Sequence, residues 1–396
     1  MRVAFLAHGL RGGGGKSVGQ NLIRAIGQQA PDNAYFVSYS AGHGFEPLCD
    51  SLLDCQASVF GENSGYWARA LYEQYDLPRA LRSFSPDVVV GLGSMAASRI
   101  GAPQAVLVQN PHLWYPLGIA WSRGRSPAPA GRLRMRLRRA RFAIDLRRTS
   151  LLLCPTETAA LRVRKSYGYQ GAVHLCHSAV SDRVAQGKEG ERTALPLLPP
   201  AGLRLFCLTR YYAHKNLESL VDLYGAYRSE LDGVIVILTL AAEEQPGARR
   251  LLQRIEHLGL TEQLVNVGPL AQEELGGYYQ QCDGMILPTL LETFSMTYVE
   301  AMQFGKPILT SDRDFAREVC GDAALYFDPT DPASILETIK KLPGRSDLGE
   351  RGRKRLAGFG WRWDEIAGGV LRELRALVRD EASAVEQHVG SSGHAA

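Results

Sequence analysis

No stretch of this 396-residue chain approaches the roughly 20 consecutive apolar residues that a bilayer-spanning helix needs. Its start holds no h-region either, since Val3-Ala4-Phe5-Leu6-Ala7 is too short and runs straight into glycines. A membrane-spanning or exported protein is therefore not expected. Cysteine is sparse and badly placed for chemistry. Cys49, Cys55, Cys154, Cys176, Cys207, Cys282 and Cys320 are odd in number and form no C-x-x-C, so neither a disulfide framework nor a zinc or dithiol site is indicated. They read as reduced, mostly buried thiols in a cytoplasmic protein. No short tandem repeat occurs, and a net charge of +4 rules out a globally polybasic surface. The charge is unevenly spread, however: Ser122–Thr149 carries ten arginines against a single acid, Asp145.

What the chain does have is alternation. Short aliphatic runs are separated by amphipathic helical stretches. Strands are predicted at Val3–Ala7, Tyr35–Tyr39, Asp87–Val90, Ala105–Val108 and Leu151–Cys154, then at Leu203–Leu208, Val234–Leu240, Leu264–Val267, Gly284–Leu287 and Pro307–Thr310. Most are apolar on both faces, as strands of a helix-covered parallel sheet are. An α/β architecture with right-handed crossovers follows. The Pro-rich run Ala194–Gly202 divides the series in two. The expected layout is an N-terminal domain over 1–180, a linker over 181–202 and a C-terminal domain over 203–360. A helix over 361–380 and a disordered tail over 381–396 complete it.

Two loops stand at ends of predicted strands, where open α/β sheets bind ligands. The first is His8-Gly9-Leu10-Arg11-Gly12-Gly13-Gly14-Gly15-Lys16-Ser17, leading into a helix with Val18, Leu22, Ile23 and Ile26 inward. Gly15-Lys16-Ser17 resembles the end of a P-loop, but that pattern needs glycine where Leu10 stands. A tight turn without ligand is a second reading. The favoured one is a loop whose backbone at Gly14 and Gly15 approaches a phosphate or sugar. The second is Thr209–Asn216, with Arg210 able to fork two phosphate oxygens and Lys215 acting as a point charge. Taken alone, two such cations are compatible with ordinary solvated surface.

Glu292 and Glu300 lie eight residues apart. With a helix starting near Ser295, Glu292 precedes its N-terminus and Glu300 lies inside it. The amides of Phe294 and Ser295 then face an anion. By itself the pair is weak evidence, but Glu300-Ala301-Met302-Gln303-Phe304-Gly305-Lys306-Pro307 follows it. From about Leu203 to Pro329 the chain resembles retaining glycosyltransferases of the GT-B fold, family 4 (group 1) type, which carry E-x7-E followed by E-A-M-x-x-G-x-P. They also carry an Arg and a Lys after the first strand of the second domain, matched by Arg210 and Lys215. Gly321–Pro329 and Trp363-Asp364 resemble later family segments. Thr293 and Thr297 stand where the family often has Gly and Pro, and Ala241 and Ala242 where it often has Gly. Those departures bear on the nucleobase pocket more than on the reaction class.

The resemblance implies two Rossmann-like domains facing across a cleft. It implies sugar transfer from a nucleotide-diphosphate donor to a hydroxyl with retention, in bacterial surface polysaccharide, lipopolysaccharide or glycolipid assembly. Arg210, Lys215 and Glu292 are the expected catalytic residues. Gly14, Gly15, Phe294, Ser295 and Glu300 are the expected donor contacts, with Glu300 on the ribose. His112, after a strand end, is either a sugar or acceptor contact or a loop-capping histidine; His177 reads as structural. No cofactor and no metal are expected. Asp312-Arg313-Asp314 mimics a D-x-D metal motif but lacks a second ligand cluster. Within the arginine segment, Leu133, Leu137, Ala140 and Ile144 share one helical face. That face is either core-packed beneath a solvated basic back or laid on an anionic membrane near a lipid-linked acceptor. Expected partners are thus a nucleotide-diphosphate sugar, a glycan or lipid-linked acceptor and an anionic membrane surface on the inner face of the cytoplasmic membrane. No nucleic-acid fold signature occurs. The competing readings are a nucleotide-sugar epimerase on the same fold and a non-catalytic sugar- or lipid-binding protein.

Overall fold

The computed structural model describes residues 1–62, 65–116, 118, 129–180, 184, 202–243, 245–358 and 362–392. They form two α/β domains. Nearly all of the connector assigned to 181–202 lies outside the described residues, as do Arg123 and Arg125.

The first domain comprises the described residues of Met1–Trp114, Ala130–Ser178 and Arg362–Ala396. Its strands are β1 (Arg2–Leu6), β2 (Ala34–Ser40), β3 (Cys55–Phe60), β4 (Val88–Gly91), β5 (Gln104–Leu107), β6 (Leu151–Cys154) and β7 (Ala172–Leu175). They lie in the order β3-β2-β1-β4-β5-β6-β7, every pair parallel. Val3 is flanked by Tyr35 on one side and Val88 on the other. The helices are α1 (Gly13–Gln29), α2 (Glu46–Asp50), α3 (Tyr66–Leu71), α4 (Leu77–Phe84), α5 (Pro129–Leu146) and α6 (Glu157–Tyr167). A π turn, Tyr72–Asp76, joins α3 to α4. Ala4, Leu6, Phe36 and Val89 pack with Leu77 and Leu81 into one core.

The second domain holds β8 (Leu203–Cys207), β9 (Val234–Leu238), β10 (Leu264–Asn266), β11 (Gly284–Leu287), β12 (Ile308–Ser311) and β13 (Ala324–Phe327). Their order is β10-β9-β8-β11-β12-β13, again all parallel. Between them run α7 (Glu218–Tyr227), α8 (Pro246–His257), α9 (Leu275–Gln281), α10 (Met296–Gln303), α11 (Asp314–Cys320), α12 (Pro332–Lys340) and α13 (Asp347–Gly358). Leu205, Val236, Ile286 and Leu309 on the sheet bury against Leu220, Leu251 and Ile335 on the helices. In each sheet the first strand, β1 or β8, has neighbours reached by connections running in opposite directions. That is the switch point where such sheets open a crevice at their carboxyl ends.

The last helix, α14 (Trp363–Ser392), belongs to the first domain. Ala367, Val370, Leu371 and Leu374 recur at helical spacing and are all buried. The Gln29 side-chain amide of α1 donates to the Asp364 carbonyl, and a Cβ at Gly368 would stand 3.2 Å from Gln29 Oε1. The expected end at residue 380 is corrected: the helix continues through Ser392. Arg379-Asp380-Glu381-Ala382-Ser383-Ala384 is free of Gly and Pro, so intrinsic propensity carries the helix past its last apolar anchor. Among the described residues no helix is long and apolar enough to cross a membrane. Leu374→Ala should lower the stability of the first domain by about 2–5 kcal/mol, the usual cost of emptying a filled core position, read as an earlier midpoint in urea unfolding.

Candidate functional site

The loop after β8 is built to hold two cations. The Thr209 amide donates to Thr239 Oγ1 at 3.1 Å, and that hydroxyl donates back to the Thr209 carbonyl at 3.1 Å. Arg210 follows and is exposed. Ala213–Lys215 form one turn of 3-10 helix, ended by Asn216 in the left-handed region at φ 55°. Asn216 is fixed there by a 2.7 Å bond from its amide to the Pro329 carbonyl.

A second loop, between β11 and α10, locks onto this turn. The Leu290 amide donates to the His214 carbonyl at 2.7 Å. Lys215 Nζ forms an ion pair with Glu292 Oε1, both side chains mostly buried, and Thr289 Oγ1 lies 3.1 Å from the same oxygen. Lys215 and Glu292, 77 positions apart in sequence, are thus direct partners at the carboxyl ends of two adjacent strands. Phe294 and Ser295 are buried, and Ser295 is the N-cap of α10. Its hydroxyl lies 2.9 Å from Thr297 Oγ1, which leaves the first-turn amides to point outward from the helix start.

Glu300 lies on the fifth residue of α10 and is buried. Burial pushes its carboxyl up to about 7, opposed by a hydrogen bond from Tyr279. Its Oε2 has no hydrogen-bond partner among the described residues. An orphaned acceptor of this kind is costly unless something outside the chain completes it. Arg210, Lys215, Glu292, Phe294, Ser295 and Glu300 therefore all lie in the second domain, around the β8–β11 switch point. Asp312 and Asp314 take other roles. Asp312 receives Arg317 at 2.6 and 2.8 Å, and Asp314 accepts from the Phe315 amide and the Tyr115 hydroxyl. No cluster with metal-ligand composition occurs among the described residues.

Gly14, Gly15 and His112 lie in the first domain. The glycine loop is itself helical from Gly13, so Gly14 and Gly15 form the first turn of α1. Nothing lies within 4 Å of a Cβ placed on Gly14, whereas one on Gly15 would stand 3.3 Å from Gln109 Oε1. Packing therefore requires no glycine at 14. Val18, expected inward, is only half-buried. His112 is held down to about 4 by burial and by the charges of Arg139 and Arg138. Its carbonyl accepts from Arg139 at 3.0 and 2.8 Å.

Sequence reasoning missed an ionic network at the β1–β4 switch point. His8, fully buried after β1, lies 2.8 Å from Ser38 Oγ and 3.2 Å from Glu73 Oε1. Glu73 is on the π turn, a device that re-aims single side chains at functional positions. Arg69 donates to it at 2.7 Å, and Arg141 of α5 lies 3.6 Å away. Burial raises the Glu73 carboxyl, but His8 and Arg69 outweigh it and hold it at about 2. Burial pushes His8 down, favouring a neutral imidazole that donates to Glu73. Arg141 also donates to Asp145 at 2.9 Å, and burial pushes that carboxyl up despite the arginine. Beside the network is a cavity of about 340 Å³ lined in part by Gly9, Gly93, Ser94, Asn110 and Arg138. The lone acid of the arginine segment was the one visible signal for it.

The face of α5 that turns inward is also not the expected one. Phe142 and Leu146 are buried and Arg139 is partly so, while Leu133, Leu137 and Ile144 are exposed. The core-packed reading of the leucine face is thereby corrected. Arg139 is inward because a bidentate bond to a carbonyl satisfies its guanidinium.

Residues 198–355 match the family of glycosyl transferases group 1. The D-inositol 3-phosphate glycosyltransferase of Frankia alni is 30% identical over 148 residues, which is 36% of this chain and 35% of that relative. The matched stretch thus spans about a third of the relative's length. Among solved structures, the sucrose-phosphate synthase of Thermosynechococcus elongatus superposes with a TM-score of 0.73 at 16% identity, covering 95% of this chain and 99% of that one. Anabaena Alr3699/HepE in complex with UDP-glucose gives 0.65 at 17%, covering 98% and 100%. At these identities the likeness shows the fold: this chain has the two Rossmann-like domains of GT-B glycosyltransferases.

The raised Glu300 carboxyl makes a stability prediction. The folded protein holds a proton there between the ordinary carboxylate range and about 7, so the stability this contributes is full below that range and is lost as pH rises through about 7. From about pH 5 to about pH 8, wild type should lose melting temperature that Glu300→Gln retains. Parallel thermal melts check it; identical slopes would mean that Glu300 is solvated.

Proposed function

We propose that this protein is a retaining glycosyltransferase of the family 4 (group 1) type that moves a sugar from a nucleotide-diphosphate donor to a hydroxyl. The carrying observation is the convergence at the second switch point of Arg210, the Lys215–Glu292 pair and Glu300, whose Oε2 has no hydrogen-bond partner among the described residues. The family match over 198–355 and the fold likeness to a UDP-glucose-bound structure support the donor class. The names of the relatives are those of glycosyltransferases, and no observation favours an epimerase or a non-catalytic binder.

In this reading Lys215 exchanges Glu292 for the donor diphosphate. Negative charge grows on the leaving diphosphate in the transition state, and Arg210 with Lys215 stabilises it. Glu292, released by the exchange, orients the sugar and faces the positive charge developing at its anomeric carbon. The first-turn amides at Phe294 and Ser295 approach a phosphate, and Glu300 accepts both ribose hydroxyls. The empty space at Gly14 lets the α1 backbone approach the phosphate or the acceptor, with Gly15 beside it. His112, kept neutral, contacts the sugar or acceptor. The clamp supplies the charge that a metal would otherwise bring, so no cofactor is required. The reading extends to a cytoplasmic protein, peripheral on the inner membrane face, that builds bacterial surface polysaccharide or glycolipid. Seven unpaired thiols fit a reducing compartment.

Purified protein should release nucleoside diphosphate from one nucleotide sugar, found by a thermal-shift screen; no stabilisation by any donor would refute the reading. Lys215→Ala and Arg210→Ala should each lower turnover by roughly 10²–10³-fold, whereas Glu300→Ala should chiefly weaken donor binding in calorimetry, because ribose contacts are alike in ground and transition states. Activity should survive EDTA. Loss restored by Mg²⁺ or Mn²⁺ would return Asp312 and Asp314 as ligands.

A further inference from the structure

A second helix reaches into the surroundings of Glu300. Tyr279 of α9 is fully buried, and its hydroxyl lies 3.3 Å from the Thr297 carbonyl in the first turn of α10. The same hydroxyl is hydrogen-bonded to Glu300, one turn further along α10. Its ring is locked in place. It stacks on Phe304 at 5.0 Å with an interplanar angle of 15°, and it meets Phe206 of β8 edge-on at 5.0 Å and 87°. Gly276, three residues earlier on α9, makes room for this stack, since a Cβ there would stand 3.3 Å from the Phe304 ring. With the ring held from both sides, the hydroxyl proton is the part of Tyr279 that remains free to turn.

A phenol has one proton to give. The Thr297 carbonyl can only accept, so a Tyr279 that donates to it offers Glu300 a lone pair and nothing else. That setting suits a protonated carboxyl, which donates. An ionised carboxylate only accepts, and it draws the phenol proton to itself in a stronger, charge-assisted bond. The hydroxyl therefore has two settings, and the charge on Glu300 selects between them. Packing alone does not call for it: phenylalanine would make the same two ring contacts, and burying a hydroxyl costs free energy unless it is bonded. No nearby charge competes. Besides Glu300, the titratable groups facing Tyr279 are Cys282 at the end of α9 and Cys207 at the end of β8. Burial holds both thiols up to about 12, so both are neutral. Lys215 acts on Cys207 and Lys306 on Cys282, whereas among the described residues burial and Tyr279 alone act on Glu300.

We propose that Tyr279 is a positioning residue for donor binding: its hydroxyl turns from the Thr297 carbonyl to the Glu300 carboxylate as the ribose arrives, and holds that carboxylate ionised. A ribose brings two hydroxyl donors to a group that, once charged, has only lone pairs to offer. The proton leaves Glu300 for solvent as the complex forms. Below about pH 7 the free protein keeps that proton, so binding has to expel it and affinity falls as pH falls; above that range nothing is expelled. The ribose role rests on the glycosyltransferase reading; the pairing of Tyr279 with Glu300 does not.

The test is calorimetry of the full chain with UDP-glucose and with GDP-mannose, in two buffers of different ionisation enthalpy, alongside thermal melts without nucleotide. Wild-type protein should release about one proton on binding at about pH 6 and almost none at about pH 9. Its affinity should fall about tenfold for each pH unit below the Glu300 step. Removing a hydrogen bond to a charged group moves its titration by about one pH unit or more. Tyr279→Phe should therefore bind about fivefold more weakly at about pH 7, and the deficit should shrink as pH rises. In melts, Tyr279→Phe should carry the loss of melting temperature about one pH unit higher. In a Glu300→Gln background the same substitution should leave the pH slope alone. Binding without proton release at about pH 6 would overturn the proposal. So would a Tyr279→Phe deficit that is equal at every pH, or one that persists in the Glu300→Gln background, because Tyr279 would then be packing only. A melting step that moves as expected in a protein that binds neither donor would overturn the donor reading alone.

Discussion

The Lys215–Glu292 ion pair is the interaction on which the second domain's crevice depends. It closes a span of 77 positions and joins the turn after β8 to the loop before α10. With the Leu290-to-His214 backbone bond beside it, it fixes where α10 begins. The start of α10 in turn fixes where Glu300 is buried. A mostly buried pair repays its desolvation only with good geometry and further hydrogen bonds, and breaking one partner leaves an uncompensated charge. Thr289 at 3.1 Å supplies part of that support. The pair thus holds opposite charges in store in the same domain as Glu300, whose Oε2 has no hydrogen-bond partner among the described residues.

The two domains use one architectural rule with different chemistry. Each places its polar groups at the carboxyl ends of the strands flanking β1 or β8. In the second domain the crevice holds the Lys215–Glu292 pair, and Glu300 Oε2 has no hydrogen-bond partner among the described residues. In the first the polar groups form a closed chain from Ser38 through His8, Glu73 and Arg141 to Asp145. A closed chain holds its arginines rigidly, which suits recognition of a shape. An open acceptor suits a ligand that brings its own hydroxyls.

Much of this was legible in the sequence, for a definite reason. Interior strands of parallel sheets are apolar on both faces, so β1, β6, β8 and β11 stand out as continuous runs. The strands that sequence reading missed are β3 and β13, and each lies at a sheet edge, as does β7, which leaves only a short signal before His177. Cys55–Phe60 and Ala172–Leu175 are largely exposed or half-buried, and their polar residues break the run. Arg210, Lys215, Glu292 and Glu300 could be named because their spacing is fixed by a local turn and a local helix. That Lys215 and Glu292 are partners could not, since the pairing depends on β8 and β11 lying side by side. His8 with Glu73 escaped for the same reason, with a π turn setting the direction of Glu73. On α5, periodicity picked out the leucine row but could not tell which side faces the protein. Phe142, Leu146 and the carbonyl that holds Arg139 decide it.

The placement of α14 has a consequence for how the chain assembles. The second domain's sheet is made from one uninterrupted stretch, so it can close as soon as that stretch is available. The first domain is different: Ala367, Val370, Leu371 and Leu374 complete a core begun by α1 hundreds of residues earlier. Until α14 arrives, the face of α1 that it covers stays bare, and the long-range closure is delayed accordingly. During vectorial synthesis the second domain would therefore mature before the first, reversing their order along the polypeptide.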